Sequence, residues 1–507
     1  MRKFISWMTV MAVTLSFGFS SCSDNKEDGP VETAAPELLT FGFNVANNGN
    51  TLSTDYVGVI STTDHTVTVT MPAFADKSSL VANFTVGDGN KVLVNGVTQE
   101  SGVTANDFTS PVDYIISNAD GSKNVKYTVT IDKAANYEWS EYARYNELVP
   151  YGDNAIMKIN PVDNTPYIAF VRKEKDDNNK VVVIKNENGV FNYVGSKEGE
   201  SDVVTSGMMD FTISNTGTLY YIYKNKSITE PVKYPATVMS FNGSSWSNVG
   251  QPCIAELVPS KVQIGAIGST VIAPMISNTN SGSFTKRVLY ASIFNDNWTT
   301  GSLASVNINE VGLECLTTTD NAAYLYTISR TSYKYSVVEY KNGVWNSLRS
   351  DYLEEGATMA PVSMTDAASI VATNDGTVYL LTADDAETKN TKDMRFRILK
   401  YSPDSKEWTL IGGTTMASVK ANESHISAKI AVAPDGTPFF AYTDYTGDKL
   451  AKVQYFDNET KQWSAPVAVS AGEASYVNIS FCDNGEAYIS YVSADNSIVL
   501  VKYAAKK

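Results

Sequence analysis

Residues 430–442 read Ile-Ala-Val-Ala-Pro-Asp-Gly-Thr-Pro-Phe-Phe-Ala-Tyr, an apolar run, a Pro-Asp-Gly turn and a run of aromatic and small residues. A third apolar segment at residues 453–456 and then Trp463 complete the unit. Asp-Gly pairs supply the positive φ angles that tight hairpins require, so this pattern predicts antiparallel strands joined by short turns. We therefore expect the unit to form one four-stranded sheet.

Similar units recur through residues 134–507, and an aromatic residue marks the predicted outermost strand of each one. Successive markers are 47–63 residues apart, with a mean of 54. A repeat of this length is typical of a four-stranded β-propeller blade. Seven markers predict seven blades, with six or eight as alternatives. The markers are Trp139, Phe191, Trp246, Trp298, Trp345, Trp408 and Trp463.

The two ends of the repeat array predict how the ring closes. After Trp463 only 44 residues remain, which is enough for three strands but not for a fourth. Trp139 marks a single outer strand at the start of the array. We expect this N-terminal strand to pair beside the last three and to complete one blade. Closure removes exposed strand edges and favours a monomer.

The recurring tryptophans have two possible roles, packing between blades or stacking on sugar rings. A large ring at the same place in every unit is explained most simply by packing between adjacent sheets. We therefore interpret the tryptophans as structural.

Residues 33–133 form a separate strand-rich segment before the array. Apolar and polar residues alternate in short runs, as at residues 66–70 and 127–131, and Gly, Asn and Asp separate the runs. This period of two predicts half-buried antiparallel strands, and about a hundred residues of them predict one small β-sandwich. The predicted fold class is therefore all-β, a small sandwich followed by a seven-bladed propeller at residues 134–507.

The charge of the chain excludes some classes of partner. The 507 residues include 40 Lys and Arg against 55 Asp and Glu, a formal net charge of −15. Phosphate backbones and anionic lipids need concentrated cations, so we expect no nucleic-acid partner and no direct binding to a membrane surface. Cys253, Cys315 and Cys482 are widely spaced and predict neither a disulfide framework nor a metal site.

The first residues predict export from the cytoplasm. Arg2 and Lys3 precede an apolar stretch at residues 4–19, which is shorter than the roughly 20 residues of a membrane span. Ser20-Ser21-Cys22 follows, and this arrangement resembles the lipobox of bacterial lipoproteins. The resemblance implies removal of residues 1–21 and lipidation of Cys22. An ordinary secretory signal with a stray cysteine is the alternative.

Residues 22–32 resemble the acidic tether of surface lipoproteins of Bacteroidota, which implies an outer-membrane protein facing the cell exterior. The segment 101–121, which includes Asn106-Asp107-Phe108 and Asp120-Gly121, resembles an immunoglobulin-like module found near the N-termini of such lipoproteins. The resemblance implies an immunoglobulin-like sandwich at residues 33–133. We expect this module to act as a spacer that holds the propeller away from the membrane.

The connections in the array predict which face binds a ligand. Turns joining first to second and third to fourth strands are tight, whereas those joining second to third strands, and one blade to the next, are long. Both long sets leave the same face, and function tends to lie on long loops carried by a rigid scaffold. Tyr333 and Tyr445 lie in these loops and are candidate ligand contacts.

The entrance of the central channel provides further candidates. Counting eleven residues back from each tight turn gives a predicted ring at the start of the innermost strands. The ring comprises Asp153, Ser206, Leu257, Glu310, Thr365, His425 and Ala474. Of these, Asp153, Glu310, Thr365 and His425 carry side chains suited to hydrogen bonding, so we expect them to contact the ligand together with Tyr333 and Tyr445.

Motifs for known catalytic chemistry are missing from the sequence. It contains no zinc-protease, serine-hydrolase, P-loop or dinucleotide motif, and only two histidines. We assign no catalytic residue, metal or cofactor. The leading hypothesis is a non-catalytic surface lipoprotein that binds a glycan or another extracellular ligand. The alternatives are a glycoside hydrolase or lyase using channel carboxylates such as Glu310 and Asp153, and an adhesion or complex-forming scaffold bound to an outer-membrane protein.

Overall fold

The computed structural model describes residues 35–505, apart from 53–54, 134–136, 148–149, 304–310, 330–331, 359–368, 387, 391–393, 414–417, 420–426, 445–446 and 459. Within these residues the chain is all-β, with one α-helical turn, Val45–Asn48, and two 3-10 turns, Gly49–Thr51 and Lys175–Asp177. None of the helices described there is long and apolar enough to cross a membrane.

The N-terminal module is a β-sandwich of two main sheets with a further two-stranded pair, so the predicted all-β fold is confirmed. The prediction of antiparallel strands is wrong for residues 66–71 and 128–133, which pair in parallel, because the two segments are not joined by a hairpin. The larger sheet has the order β3-β4-β11-β10-β7-β8, and the smaller one the order β2-β1-β6. Its strands are β1 (Leu38–Phe43), β2 (Tyr56–Val57), β3 (Val59–Ser61), β4 (Thr66–Met71), β5 (Leu80–Val81), β6 (Asn83–Val86), β7 (Lys91–Val94), β8 (Val97–Thr98), β9 (Ala105–Asn106), β10 (Val112–Ser117) and β11 (Asn124–Lys133).

Alternation along each strand builds the core of this sandwich. In β4, Val67, Val69 and Met71 are buried while the residues between them face outward. Aromatic rings fill the space between the sheets, and Phe41 and Tyr114 meet edge to face with ring centroids 5.2 Å apart. Such pairs stabilise a core beyond the apolar area that they bury.

The described residues after the sandwich form seven blades, the last two of which are joined in one eight-stranded sheet. The first four blades contain β13 (Pro150–Ile159), β14 (Pro166–Arg172), β15 (Lys180–Glu187) and β16 (Val190–Tyr193); β17 (Val204–Ile213), β18 (Leu219–Asn225), β19 (Ala236–Phe241) and β20 (Trp246–Asn248); β21 (Pro259–Val262), β22 (Gly265–Ile267), β23 (Thr270–Ser277), β24 (Leu289–Asn295) and β25 (Asn297–Ser302); and β26 (Val311–Thr318), β27 (Ala322–Ser329), β28 (Tyr335–Lys341) and β29 (Val344–Tyr352).

The last three blades contain β30 (Ser369–Ala372), β31 (Val378–Asp384), β32 (Met394–Ser402), β33 (Glu407–Leu410) and β34 (Ser418–Val419); β35 (Ala428–Val432), β36 (Pro438–Thr443), β37 (Leu450–Asp457) and β38 (Gln462–Trp463); and β39 (Val467–Phe481), β40 (Ala487–Ser493), β41 (Ile498–Ala505) and β12 (Tyr137–Tyr145). The first half of β39 also pairs with β37, so one long strand joins blades 6 and 7.

The innermost strands form a closed ring. Strand β13 lies beside β17 on one side and beside β39 on the other, and the remaining innermost strands follow in chain order. Strand β12 pairs with β41, with Trp139 opposite Tyr503 and Arg144 opposite Val499. The predicted seven blades and the predicted closure by the N-terminal strand are both confirmed.

The tryptophans join neighbouring blades at the outer edge. The indole N–H of Trp246 donates to the carbonyl of Val194, and that of Trp298 donates to Val249, at 2.9 and 2.8 Å. Trp408 and Trp463 make the same bond to Leu348 and Ile411 of the preceding blade. The structural interpretation of these residues is therefore confirmed, because both the ring and the N–H are used within the fold.

The sandwich touches the propeller through one loop. Phe74, between β4 and β5, packs against Phe439 and Tyr503, with ring centroids 4.8 and 5.9 Å away. Phe481 and Tyr455 complete the aromatic pocket. All four partners lie near the tight turns of blades 6 and 7, so the module sits at that side of the propeller.

Candidate ligand site in the propeller

The propeller has two unlike faces. The tight turns between first and second strands and between third and fourth strands share one face, which we call the short-turn face. The connections between second and third strands, and those between blades, share the opposite face, which we call the long-loop face. The two sets of connections leave opposite faces because consecutive strands in each blade run antiparallel.

The predicted site residues are only partly covered by the described structure. Asp153 is in β13, and Tyr333 is at the tip of the loop between β27 and β28, where its side chain is 41% exposed. The others lie outside the described residues, so their convergence at the channel entrance stays a prediction. These are Glu310, Thr365, His425 and Tyr445, together with the predicted lipidation site Cys22.

Tyr333 is held in place by its own loop. Its backbone N–H donates to Ser329, and its φ angle of 58° belongs to the left-handed region. Lys334 forms an ion pair with Asp351 of the same blade, which anchors the loop beside the tyrosine. The loop thus presents an aromatic ring to solvent on the long-loop face.

Phe284 lies in a comparable loop but points into the fold. It packs against Tyr290 with ring centroids 5.0 Å apart and joins the hydrophobic core around blades 2 and 3. It is a loop anchor and is not presented to a ligand.

Two positions of the predicted channel ring are wrong. Leu257 and Ala474 are buried in hydrophobic clusters between blades. In blade 3 the innermost strand is split into β21 and β22, so a fixed count of eleven residues falls before the strand begins. A β-bulge in β39 shifts the count in blade 7.

Polar side chains join the innermost strands around the channel. Asp210 accepts the N–H of Ile264 at 2.8 Å, and Gln263 accepts that of Leu316 at 3.1 Å. Similar bonds link blades 5 to 6, 6 to 7 and 7 to 1. These join Ser369 to Ile430, Ser427 to Val477 and Asn478 to Ala155. They satisfy backbone groups that the ring curvature leaves without a strand partner.

A group of charged residues lies inside this ring. Lys158 in β13, Asp210 in β17 and Lys429 in β35 interact electrostatically. Burial lowers the pKa of Lys158, although the charge of Asp210 opposes the shift. Burial raises the pKa of Asp210, opposed by Lys158 and by two backbone N–H groups. Within the described part of the channel, this group therefore places two ammonium groups beside one carboxylate.

A partly open cavity adjoins this charged group. Its volume is about 180 Å³, and Lys158 contributes to its wall. The other lining residues come from the ends of β17 and β26 and from the segment entering β22. They are Thr212, Ile213, Ile264, Gly265, Leu316, Thr317 and Thr318. The cavity lies in the half of the channel nearer the short-turn face.

The tight turns form a polar network at that end. Asn215 donates to Asp320 at 3.1 Å and accepts the N–H of Gly268 at 3.0 Å. Asn374 donates to the other oxygen of Asp320 at 2.7 Å. The network ties the turns of blades 2 to 5 to one another.

Two arginines near the boundary between blades 4 and 5, Arg349 and Arg397, both have partners in the fold. The guanidinium of Arg397 forms an ion pair with Asp384, and both side chains are buried. Arg349 stacks on Tyr352 with 3.5 Å between its guanidinium carbon and the ring centroid, and it donates to the Tyr335 hydroxyl. Arg349 also lies over the Trp408 ring of blade 5, 5.3 Å from its centroid, and so links the two blades.

Sequence reasoning missed Lys158, Asp210 and Lys429. A signal is nevertheless present, because each is a charged residue among apolar neighbours, one to three positions before the last paired residue of an innermost strand. No group of three or more His, Cys, Asp or Glu in the described part of the chain is arranged to hold a metal ion.

Comparison with known proteins identifies the N-terminal module. Residues 48–131 match the domain family described as SGBP, N-terminal. No curated protein matches the chain.

Solved structures resemble the fold at low identity. A protein of unknown function from Dyadobacter fermentans is 12% identical, with a TM-score of 0.41 over 73% of this chain and 99% of the other. The Aleuria aurantia lectin is 13% identical, with a TM-score of 0.36 over 63% and 99%. An intramolecular trans-sialidase from Ruminococcus gnavus is 11% identical, with a TM-score of 0.37 over 71% and 96%. Identities this low say nothing about function.

Proposed function

We propose that this chain is a cell-surface glycan-binding protein that holds its ligand on the long-loop face of the propeller and does not cleave it. The observation that carries the proposal is the match of residues 48–131 to the SGBP N-terminal family, which is associated with surface glycan binding in Bacteroidota.

The position of the sandwich supports the choice of face. Phe74 attaches the module near the tight turns of blades 6 and 7, so the long-loop face is left uncovered by it. If Cys22 is lipidated and residues 22–32 act as a tether, the membrane lies on the N-terminal side of the module. The long-loop face would then be directed away from the membrane, toward extracellular polymers.

The described carboxylates of the channel favour binding over catalysis. An acid or base in glycosidase chemistry needs a carboxyl group that can reach the substrate. Asp210 instead accepts N–H groups from Phe211 and Ile264 and is buried. Outside the channel, the buried carboxylate of Asp384 is paired with Arg397.

The proposal is tested by incubating the purified chain with a panel of host and plant polysaccharides. Retention is measured by affinity electrophoresis, and released oligosaccharides are measured by mass spectrometry. We expect retention of at least one polysaccharide without release of products.

Tyr333→Ala tests the assigned face in the same assay. We expect binding to weaken about two- to tenfold, since an aromatic stacking contact contributes about 0.5–1.5 kcal/mol. Leu410→Ala is the control, because Leu410 is an exposed apolar residue on an outer strand.

Two outcomes would overturn the proposal. Released oligosaccharide would make the chain a hydrolase or lyase. Retention of no polysaccharide, with an outer-membrane protein co-purifying, would make it an adhesion or complex-forming scaffold.

A further inference from the structure

The cavity beside Lys158 carries hydrogen-bond donors that the fold does not use. Within the described residues, the ammonium of Lys158 has no hydrogen-bond or ion-pair partner within 4 Å, and neither does that of Lys429. The side-chain hydroxyls of Thr212 and Thr317, which line the same cavity, have no partner among those residues either.

Lys158 and Lys429 are both partly buried. Removing an ammonium group from water, even in part, is costly when no partner replaces the water. Charges inside proteins are normally paired or bound to an ion, because their loss of hydration costs several kcal/mol. The nearest carboxylate, Asp210, is already engaged by the N–H groups of Phe211 and Ile264. Among the described residues beside this cavity, one carboxylate cannot balance both Lys158 and Lys429, so positive charge is in excess there.

This excess stands out against the rest of the molecule. The chain as a whole has a formal net charge of −15. A low-dielectric channel enclosed by seven blades strengthens the field of the charges inside it, because solvent screens them less. A positive interior within an acidic protein selects small anions that can enter the channel.

We propose that this cavity binds one anionic oxygen group, a sulfate or the carboxylate of a single uronic acid, through Lys158 and the hydroxyls of Thr212 and Thr317. The volume of about 180 Å³ admits an ion or one sugar unit and is too small for an oligosaccharide. The ammonium can only donate hydrogen bonds, and each hydroxyl can donate one, so all three side chains can donate to an acceptor-only ligand. The proposal does not depend on glycan binding at the long-loop face.

The test is isothermal titration calorimetry of the full chain with sodium sulfate, sodium glucuronate and glucose, at an ionic strength fixed with sodium chloride. We expect sulfate or glucuronate to bind and glucose not to bind. Tighter binding of glucuronate identifies an acidic sugar as the source of the anion, whereas binding of sulfate alone identifies a free inorganic anion.

The variants Lys158→Met and Lys341→Met assign the binding to the cavity. We expect Lys158→Met to weaken anion binding at least tenfold. Lys341→Met should stay within twofold of the wild type, because Lys341 is exposed at the end of β28 and far from the cavity wall. Lys158→Arg keeps the charge and should retain most of the affinity.

A second measurement covers the case in which Lys158→Met does not fold. Thr317→Val removes one hydroxyl while keeping the shape of the side chain, and we expect at least a threefold loss of affinity. Sulfate should also raise the melting temperature of the wild type more than that of Thr317→Val, since a ligand stabilises the state to which it binds.

The proposal is overturned if neither anion binds, or if Lys158→Met and Thr317→Val bind it as tightly as the wild type. If the anion test fails but a polysaccharide is retained in the affinity assay, the proposed glycan binding at the long-loop face would still be supported. If an anion binds but no polysaccharide is retained, the anion site would stand and the proposed glycan binding would be wrong.

Discussion

Lys158 stands in the sequence Ala-Ile-Met-Lys-Ile at residues 155–159, where its neighbours in the strand are apolar. In an isolated sheet such a lysine would turn toward solvent. Closure of the ring instead places it in the channel with Asp210, Lys429 and Cys315, which are the charged and titratable groups acting on it. The environment of Lys158 therefore depends on ring closure, in which strands from opposite ends of the array come into contact.

The lowered pKa of Lys158 predicts a pH-dependent stability. Between its folded pKa and 10.5, the unfolded chain binds more protons than the folded one, so the free energy of unfolding rises with pH in that window. The variant Lys158→Met has no titrating ammonium group, so it lacks this pH-dependent contribution to the free energy of unfolding. We expect the wild type to gain stability relative to Lys158→Met as the pH is raised from 7 toward 10.5, measured by urea denaturation without sulfate or phosphate. A stability difference that is independent of pH would contradict the assignment.

Asp210 predicts a second stability effect at the residue scale. Asp210→Ala leaves the N–H groups of Phe211 and Ile264 without acceptors and removes the charge nearest Lys158. We expect a loss of about 2–4 kcal/mol in the free energy of unfolding. Asp210→Asn keeps one acceptor oxygen and should lose less. Equal losses in the two variants would show that these hydrogen bonds do not matter.

Little of the channel could be predicted from single residues. Glu310, Thr365 and His425 were chosen by a fixed count from each turn, and such a count fails wherever a strand is split or bulged, as at Leu257. The charged group around Lys158 forms only when β13, β17 and β35 come together. Residues from three blades cannot be related by local spacing alone.

At the scale of the elements, three of the four indole hydrogen bonds between blades involve a second residue that the sequence pattern does not reveal. The residue after the carbonyl acceptor is glycine at Gly195, Gly250 and Gly412, and the indole of the next blade lies against it. At Gly412 the φ angle is 73°, and an added methyl group would overlap the ring of Trp463. Three of these contacts therefore combine a tryptophan with a glycine about fifty residues earlier, whereas the residue after Leu348, the acceptor of Trp408, is Arg349.

Gly412→Ala and Gly413→Ala separate packing from backbone strain. Both positions have positive φ angles, but a methyl group at Gly413 meets nothing within 4 Å. We expect Gly413→Ala to cost about 1 kcal/mol, and Gly412→Ala to cost about 1–3 kcal/mol more because the indole must move. Chemical denaturation measures both. Equal losses would contradict the role of Gly412 in the contact.

The elements themselves were largely predictable. Asn-Gly and Asp-Gly pairs mark the tight turns, and six of the seven aromatic markers are tryptophans, so the number of blades could be counted. The division of β21 from β22 and the continuity of β39 across two blades could not be predicted, because bulges and strand breaks follow from how neighbouring blades pack.

At the scale of the whole molecule, two contacts between distant parts of the chain set the architecture. The pairing of β12 with β41 closes the ring, and Phe74 fixes the sandwich to blades 6 and 7. The first was predicted because the array lacks one strand at its end. The second was not, since Phe74 is a single aromatic residue in a loop.

Phe74→Ala tests the attachment of the sandwich. The substitution removes a ring that packs against Phe439 and Tyr503, so we expect a loss of about 2–4 kcal/mol at the contact. In differential scanning calorimetry the sandwich should then unfold separately from the propeller. Leu39→Ala, an exposed residue of the same module, is the control. An unchanged thermogram for Phe74→Ala would show that the contact does not couple the two domains.

The most direct test of the account is hydrogen–deuterium exchange of the full chain with and without a polysaccharide that it retains. We predict protection in the long loops of the propeller, including the one that carries Tyr333, and unchanged exchange in β1 to β11. Protection confined to the N-terminal sandwich would contradict the claim that the propeller holds the ligand.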